Sequence, residues 1–160
     1  MATVHLIIGR ISSGKTRYAR ELCKNGGVIL SVDELEYDLF AHTLGEEYDA
    51  MMDRIKGYLH KKAVEIARSG CDVILDWGFW SRQERKAVAQ YYREQGMETR
   101  WHYIDADADC WAQNIADRNC QVAAGATTDW YVDEGLLHKL NQLFEEPVAD
   151  EVDVWHRNVR

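Results

Sequence analysis

Residues 9–16 read Gly-Arg-Ile-Ser-Ser-Gly-Lys-Thr, two glycines five positions apart followed at once by a lysine and a threonine. This octet constrains the fold more than any other stretch, because it needs a strand before it and a helix after it. Both are present. Val4, Leu6, Ile7 and Ile8 form a short β-prone run ending at Gly9, and Lys15 to Leu22 are helix formers with no breaker before Asn25-Gly26-Gly27. A chance match arises on the order of once in a few hundred chains of this length, and less often in this setting.

The residue types explain the pattern. Gly9 and Gly14 let the backbone of Arg10, Ile11, Ser12 and Ser13 turn tightly with its N–H groups inward, so that loop and helix N-terminus cradle the α and β phosphates of a nucleotide. Lys15 is expected against the β and γ phosphates, and the Thr16 hydroxyl against Mg2+. A glycine-rich turn without a ligand has no use for either side chain. The pattern therefore predicts a nucleotide and Mg2+ as ligands.

Further along, apolar runs and helical stripes alternate. Val28, Ile29, Leu30 and Val32 predict a second strand. From Glu46 to Ser69, Met52, Ile55, Leu59, Ala63 and Ile66 fall on one helical stripe, which Gly70 ends. Cys71 to Leu75 reads as a third strand closing on Asp76, and Ser81 with Glu84 as a capping box opening a helix to Arg93. Trp101, Tyr103 and Ile104 mark a fourth strand, followed by a helix over Asp107 to Arg118 and a turn-rich stretch from Gln121 to Asp129. A helix carrying Leu136, Leu137, Leu140 and Phe144 on one side comes next, and Val152, Val154 and Trp155 supply a fifth strand. Strands alternating with helices predict an α/β architecture, a five-stranded parallel sheet with helices on both faces, in one domain over residues 1–160.

Composition narrows the partners. With 46% hydrophobic and 29% charged residues and a single proline, the chain reads as an ordinary globular protein. No run approaches 18 apolar residues and the N-terminus leads straight into the first strand, so the expectation is a cytoplasmic protein without a membrane partner. Cys23, Cys71, Cys110 and Cys120 show no CxxC pairing and are expected to be structural thiols. A net charge of −8 argues against nucleic acid and favours a neutral or cationic acceptor.

Ligands of an open parallel sheet sit beyond the carboxyl ends of its strands. Asp33 follows the second strand, where a carboxylate could take a proton from an acceptor hydroxyl; it also fits a helix cap with Glu36. Asp76 ends an apolar strand, as does the carboxylate that holds Mg2+ in phosphate-loop proteins; contact with the acceptor or a plain turn role are its alternatives. Arg118 could fold over the nucleotide at the start of a lid spanning about 118–130, or complement a helix C-terminus. Trp77, Phe79 and Trp80 could wall the acceptor pocket or pack against helices, Arg82 could face the crevice or solvent, and Arg85 is expected at the surface.

Four segments then carry a resemblance: Gly9 to Thr16, Ser31-Val32-Asp33, Val73 to Trp80, and Ala116-Asp117-Arg118-Asn119. In their order and spacing the chain resembles the small P-loop kinase group, an AAA-type ATP-binding kinase-like domain that includes chloramphenicol phosphotransferase, polynucleotide 5'-kinase, gluconate kinase and the zeta toxins. The resemblance implies a P-loop NTPase three-layer sandwich, nucleoside-kinase-like, and ATP-dependent phosphorylation of a hydroxyl on a small acceptor. It places the catalytic base at Asp33 and the lid arginine at Arg118, beside Lys15. Related lids often carry a second arginine, where this chain has Val122. A nucleoside or polynucleotide kinase is the nearest alternative, with convergence of Arg54, Lys56, Arg82 and Arg85 beside Asp33 as its mark. An ATP-binding module without an acceptor is the other. Neither Asn-Lys-x-Asp nor an LSGGQ-type signature is present.

Overall fold

In the computed structural model, which describes residues 1–158, the chain runs β1 (Thr3–Ile8), α1 (Lys15–Cys23), β2 (Val28–Leu30), α2 (Val32–Phe40), α3 (Tyr48–Arg68), β3 (Val73–Gly78), α4 (Arg82–Glu94), β4 (Glu98–Ala106), α5 (Ala108–Ala123), α6 (Glu134–Leu143) and β5 (Val154–Asn158). The strands form one parallel sheet in the order β2-β3-β1-β4-β5. The expected α/β sandwich with a five-stranded parallel sheet is what the chain adopts.

The central strand explains the layering. Parallel strands covered on both faces read as continuous apolar runs, and side chains alternate across them with period two. Val4, Leu6 and Ile8 of β1 join Val73 and Leu75 of β3 and residues of α3 and α4 on one face, whereas Ile7, Ile74 and Ile104 pack under Ala19 of α1 on the other. Two buried histidines share the α1 face. His5 Nδ1 lies 2.9 Å from His102 Nε2, and His102 Nδ1 lies 2.9 Å from the Tyr18 hydroxyl. Burial holds His102 down to about 4, helped by the charges of His5 and Arg100.

Local structure departs from the sequence reading at several element ends. Val32 opens α2 instead of closing β2, because Ser31 has extended backbone and its side chain accepts the Glu34 N–H. Ser31 is therefore the cap that the sequence reading assigned to Asp33 and Glu36, and Asp33 lies in the first turn. The fifth helix runs on past Arg118 to Ala123, since nothing before Gly125 breaks it. The third strand extends through Asp76 and Trp77 to Gly78. Val152 also falls outside β5, and Phe144, with extended backbone, lies just past the end of α6. Ser81 caps α4 by accepting the Glu84 N–H, as expected, and Met52, Ile55, Leu59 and Ala63 line the buried side of α3. The four cysteines are free thiols, and among the described residues no helix is long and apolar enough to cross a membrane.

Candidate nucleotide site

The loop between β1 and α1 is wrapped as the octet requires. Gly14 has φ +101°, and Ser12, at φ +58°, also sits in the left-handed region. A Cβ on Gly9 would lie 2.5 Å from Ser13 Oγ and 3.2 Å from the Ile104 carbonyl, so only glycine fits there.

Each carbonyl from Gly9 to Ser13 accepts a hydrogen bond from a named donor. Trp80 Nε1 donates to Gly9 O at 3.1 Å, Lys15 Nζ to Arg10 O at 2.6 Å, Trp111 Nε1 to Ile11 O at 2.8 Å, Asn114 Nδ2 to Ser12 O at 3.0 Å and Asn158 Nδ2 to Ser13 O at 2.8 Å. A peptide unit whose carbonyl is held on one side turns its N–H to the other. Added to the helix N-terminus, whose first amides have no partner within the helix, this makes a donor-rich concavity suited to an anion. The Arg10 guanidinium is taken up by Trp111 and Phe144, 5.2 Å and 5.3 Å from their ring centroids.

Four charged groups meet beside the loop. Loss of water pushes the Lys15 ammonium below the ordinary lysine value; Asp76 and Asp33 oppose that shift and Arg118 adds to it. Burial likewise raises Asp76, against Lys15 and a hydrogen bond with the Thr16 side chain. The Asp33 side chain is open to solvent on one side, yet the crowding of protein atoms around it raises its carboxyl, against Lys15 and Arg118 and together with Asp129 and Glu36. The predicted residues Lys15, Asp33, Asp76 and Arg118 thus occupy one electrostatic neighbourhood. Arg118 is fixed by Nε donating to the Trp130 carbonyl at 2.9 Å.

For Mg2+, the donor chemistry fits. Thr16 and Asp76 offer a hydroxyl and a carboxylate already in hydrogen-bond contact, hard oxygen donors of the kind Mg2+ takes in small number while phosphates and water complete its shell. Among the described residues no cluster of three or more His, Cys, Asp and Glu could hold a metal by itself.

Other expectations fall elsewhere. Arg85 is only 3% exposed, not a surface residue. Its Nη1 donates to Phe79 O at 3.0 Å and Trp80 O at 3.1 Å, and its Nε to Glu151 at 3.1 Å, securing a turn where Phe79 has φ +46°. Its spacing with Val88 and Tyr92, the other buried residues of α4, is the signal that marks it as inward-facing. Arg82 turns toward the same carboxylate, 4.0 Å away, with its N–H on Glu145. It is not among the charges that shift Asp33. Phe79 is a core residue, and Trp77 is half-buried against both Phe79 and His60, at centroid distances of 5.1 Å each. Its indole N–H is buried without a hydrogen-bond partner.

The family assignment agrees with this geometry. A family described as an AAA domain matches residues 4–147, nearly the whole chain. The chain belongs to that AAA-domain family. No curated protein matches it. Among solved structures it is similar to a provisionally assigned kinase from Chloroflexus aurantiacus J-10-fl, with a TM-score of 0.71 and 16% identity over 98% of this chain and 86% of that one. A sugar kinase from Janibacter sp. HTCC2649 gives a TM-score of 0.66 and 14% identity, covering 98% and 86% of the two chains. The Mycobacterium tuberculosis APS kinase CysC, solved with AMPPNP and APS, gives 0.61 and 14%, covering 99% and 90%. These likenesses establish the P-loop kinase fold.

Proposed function

We propose that this AAA-domain protein transfers the γ-phosphoryl group of Mg-ATP to a hydroxyl of a small acceptor. The observation that carries the reading is that Asp76, Asp33 and Arg118 all act on Lys15 beside a loop whose carbonyls are each held by a side-chain donor. A site that only binds nucleotide has no need of a second, partly exposed carboxylate next to the lysine.

The residues divide the work. Loop amides and Lys15 bind the phosphates, and Arg118 faces the charge that spreads over the γ oxygens as the group moves. Thr16 and Asp76 are the residues that would hold Mg2+, whose charge offsets that of the β and γ phosphates. Asp33 accepts the proton of the acceptor hydroxyl as its oxygen bonds to phosphorus and the bond to the β-γ bridging oxygen breaks, leaving ADP. The raised carboxyl of Asp33 suits this, since a base gains proton-accepting strength as its ordinary value climbs toward neutrality.

Three of the four basic residues that would mark a polynucleotide kinase are engaged elsewhere: Lys56 with Glu84 at 3.1 Å, and Arg82 and Arg85 with Glu151. This supports a small acceptor over a nucleic acid. Phosphorus NMR of the protein with Mg-ATP and mixed sugars, amino alcohols, nucleosides and short oligonucleotides tests the reading. It predicts a new phosphoester resonance from a small hydroxylated compound. Free phosphate alone, or a phosphorylated oligonucleotide, contradicts it.

A further inference from the structure

The connection between α5 and α6 is tied to α2 through one residue that the kinase reading leaves unused. Ala41 and His42, just past α2, both have left-handed backbone, at φ +47° and +62°. Neither is glycine, so the neighbours must hold this conformation. Glu36, 1% exposed, does so: Oε1 accepts the His42 backbone N–H at 3.1 Å, and Oε2 lies 2.7 Å from the ring Nδ1. The other ring nitrogen, Nε2, lies 2.6 Å from the Thr128 carbonyl oxygen, and the ring lies tilted against Trp130, with centroids 3.9 Å apart and planes at 39°.

Proton counting constrains this arrangement. A peptide carbonyl only accepts, so Nε2 must carry a proton to bond Thr128. One further proton must lie between Nδ1 and the Glu36 carboxylate, whichever of the two atoms holds it. The Glu36–His42 pair therefore holds two protons when Thr128 is docked. Undocked, with Nε2 facing water, a neutral imidazole beside a carboxylate needs only one.

We propose that His42 is a positioning residue that clasps the α5–α6 connection to α2, and that docking takes up one proton. The connection matters to the site because Arg118 donates to the Trp130 carbonyl and Asp33 feels Asp129. The clasp thereby orients Arg118 over the phosphate side. The groups facing His42 are Glu36 and Tyr37 from α2 and Asp129 from the connection; beyond Trp130 lie Tyr48 of α3 and Arg118 of α5. Docking is favoured at acid pH and loosens as rising pH removes the second proton.

The effect on phosphoryl transfer rests on the kinase reading, whereas the proton-linked docking does not. The test is amide hydrogen exchange of nucleotide-free protein between pH 5.5 and 8.5, read as protection relative to the unfolded chain so that intrinsic rates cancel. The reporters are Asp129 and Val132, whose N–H groups are bonded to Thr127 Oγ1 and Asn119 Oδ1. Uptake of one proton predicts protection falling up to about tenfold per pH unit above the titration of the pair. In His42→Gln, where an amide NH2 can donate to Thr128 without a proton, protection is expected to be flat with pH. Nitrogen NMR of the His42 ring should show Nε2 protonated wherever protection is high. Wild-type protection constant within about twofold across this range, or high protection with Nε2 unprotonated, overturns the clasp; the wild-type series decides even if the variant misfolds. Loss of phosphoryl transfer with an intact pH response would instead overturn the kinase reading alone.

Discussion

The two sides of the site are built differently. On the side proposed for the phosphates, five backbone carbonyls are held by donors from the β3–α4 turn, α1, α5 and β5, and the strand leading in is buried from Val4 to Ile8. On the side proposed for the acceptor, Asp33 sits in the first turn of a nine-residue helix, and the connection facing it exposes Trp130 and Tyr131 at 41% and 53%. The first is backbone geometry locked by a core; the second is side chains on short segments joined by a few contacts. Phosphate recognition is generic and tolerates no movement, whereas acceptor recognition has to differ among proteins sharing this fold.

Substitutions should separate the two sides, and the sharpest separation comes from the carboxylate. Asp33→Asn should lower phosphoryl transfer by about 10²–10⁴-fold while leaving nucleotide affinity unchanged, measured by single-turnover transfer and by equilibrium titration with a fluorescent ATP analogue. Lys15→Ala should lower transfer by about 10²–10³-fold and weaken nucleotide binding as well, because its charge serves the phosphates directly. If both variants lost nucleotide affinity equally, the division of labour would be wrong.

Smaller effects test what supports each side. Arg85→Ala removes a buried charge-assisted donor to Glu151 and to the Phe79 and Trp80 carbonyls, and should destabilise the fold by about 3 kcal/mol in urea titration, whereas exposed Arg82→Ala should change it by less than about 1 kcal/mol. Asn158→Ala removes the donor to Ser13 O and should cost about 1 kcal/mol, read as a several-fold rise in nucleotide Kd with little change in folding stability.

Acid adds a test of the buried frame. Burial lowers His102 and His60 to about 4 each, so the unfolded chain binds more protons than the folded one between about 4 and 6.5. Their contribution is complete above pH 6.5 and is lost as pH falls toward 4. Thermal unfolding should show Tm dropping across that window, and His102→Gln should flatten the drop.

The strand–loop–helix of the octet and the stripe of α3 were legible because their signals are local: glycine spacing, period-two and period-3.6 patterns. Asp33, Asp76 and Arg118 were legible as residues following strands or ending an expected helix. What the sequence could not show lies far apart along the chain. Trp111 and Asn114 reach the loop across 100 and 102 residues, and Asn158 across 145. No local pattern encodes such a pairing. Arg85 was misjudged by its charge, although its spacing with Val88 and Tyr92 placed it inward. His42 gave no sign, because its role depends on Glu36 six residues before it and on Thr128 86 residues later.

The central claim is that the chain moves a phosphoryl group from ATP to a hydroxyl using Asp33 as the base. The most direct test is single-turnover transfer from γ-labelled ATP to the acceptor found by phosphorus NMR, in wild type and Asp33→Asn, with nucleotide affinity measured on the same samples. The account predicts a phosphoester in the wild type and its loss in Asp33→Asn at unchanged affinity. Undiminished transfer in Asp33→Asn would contradict it.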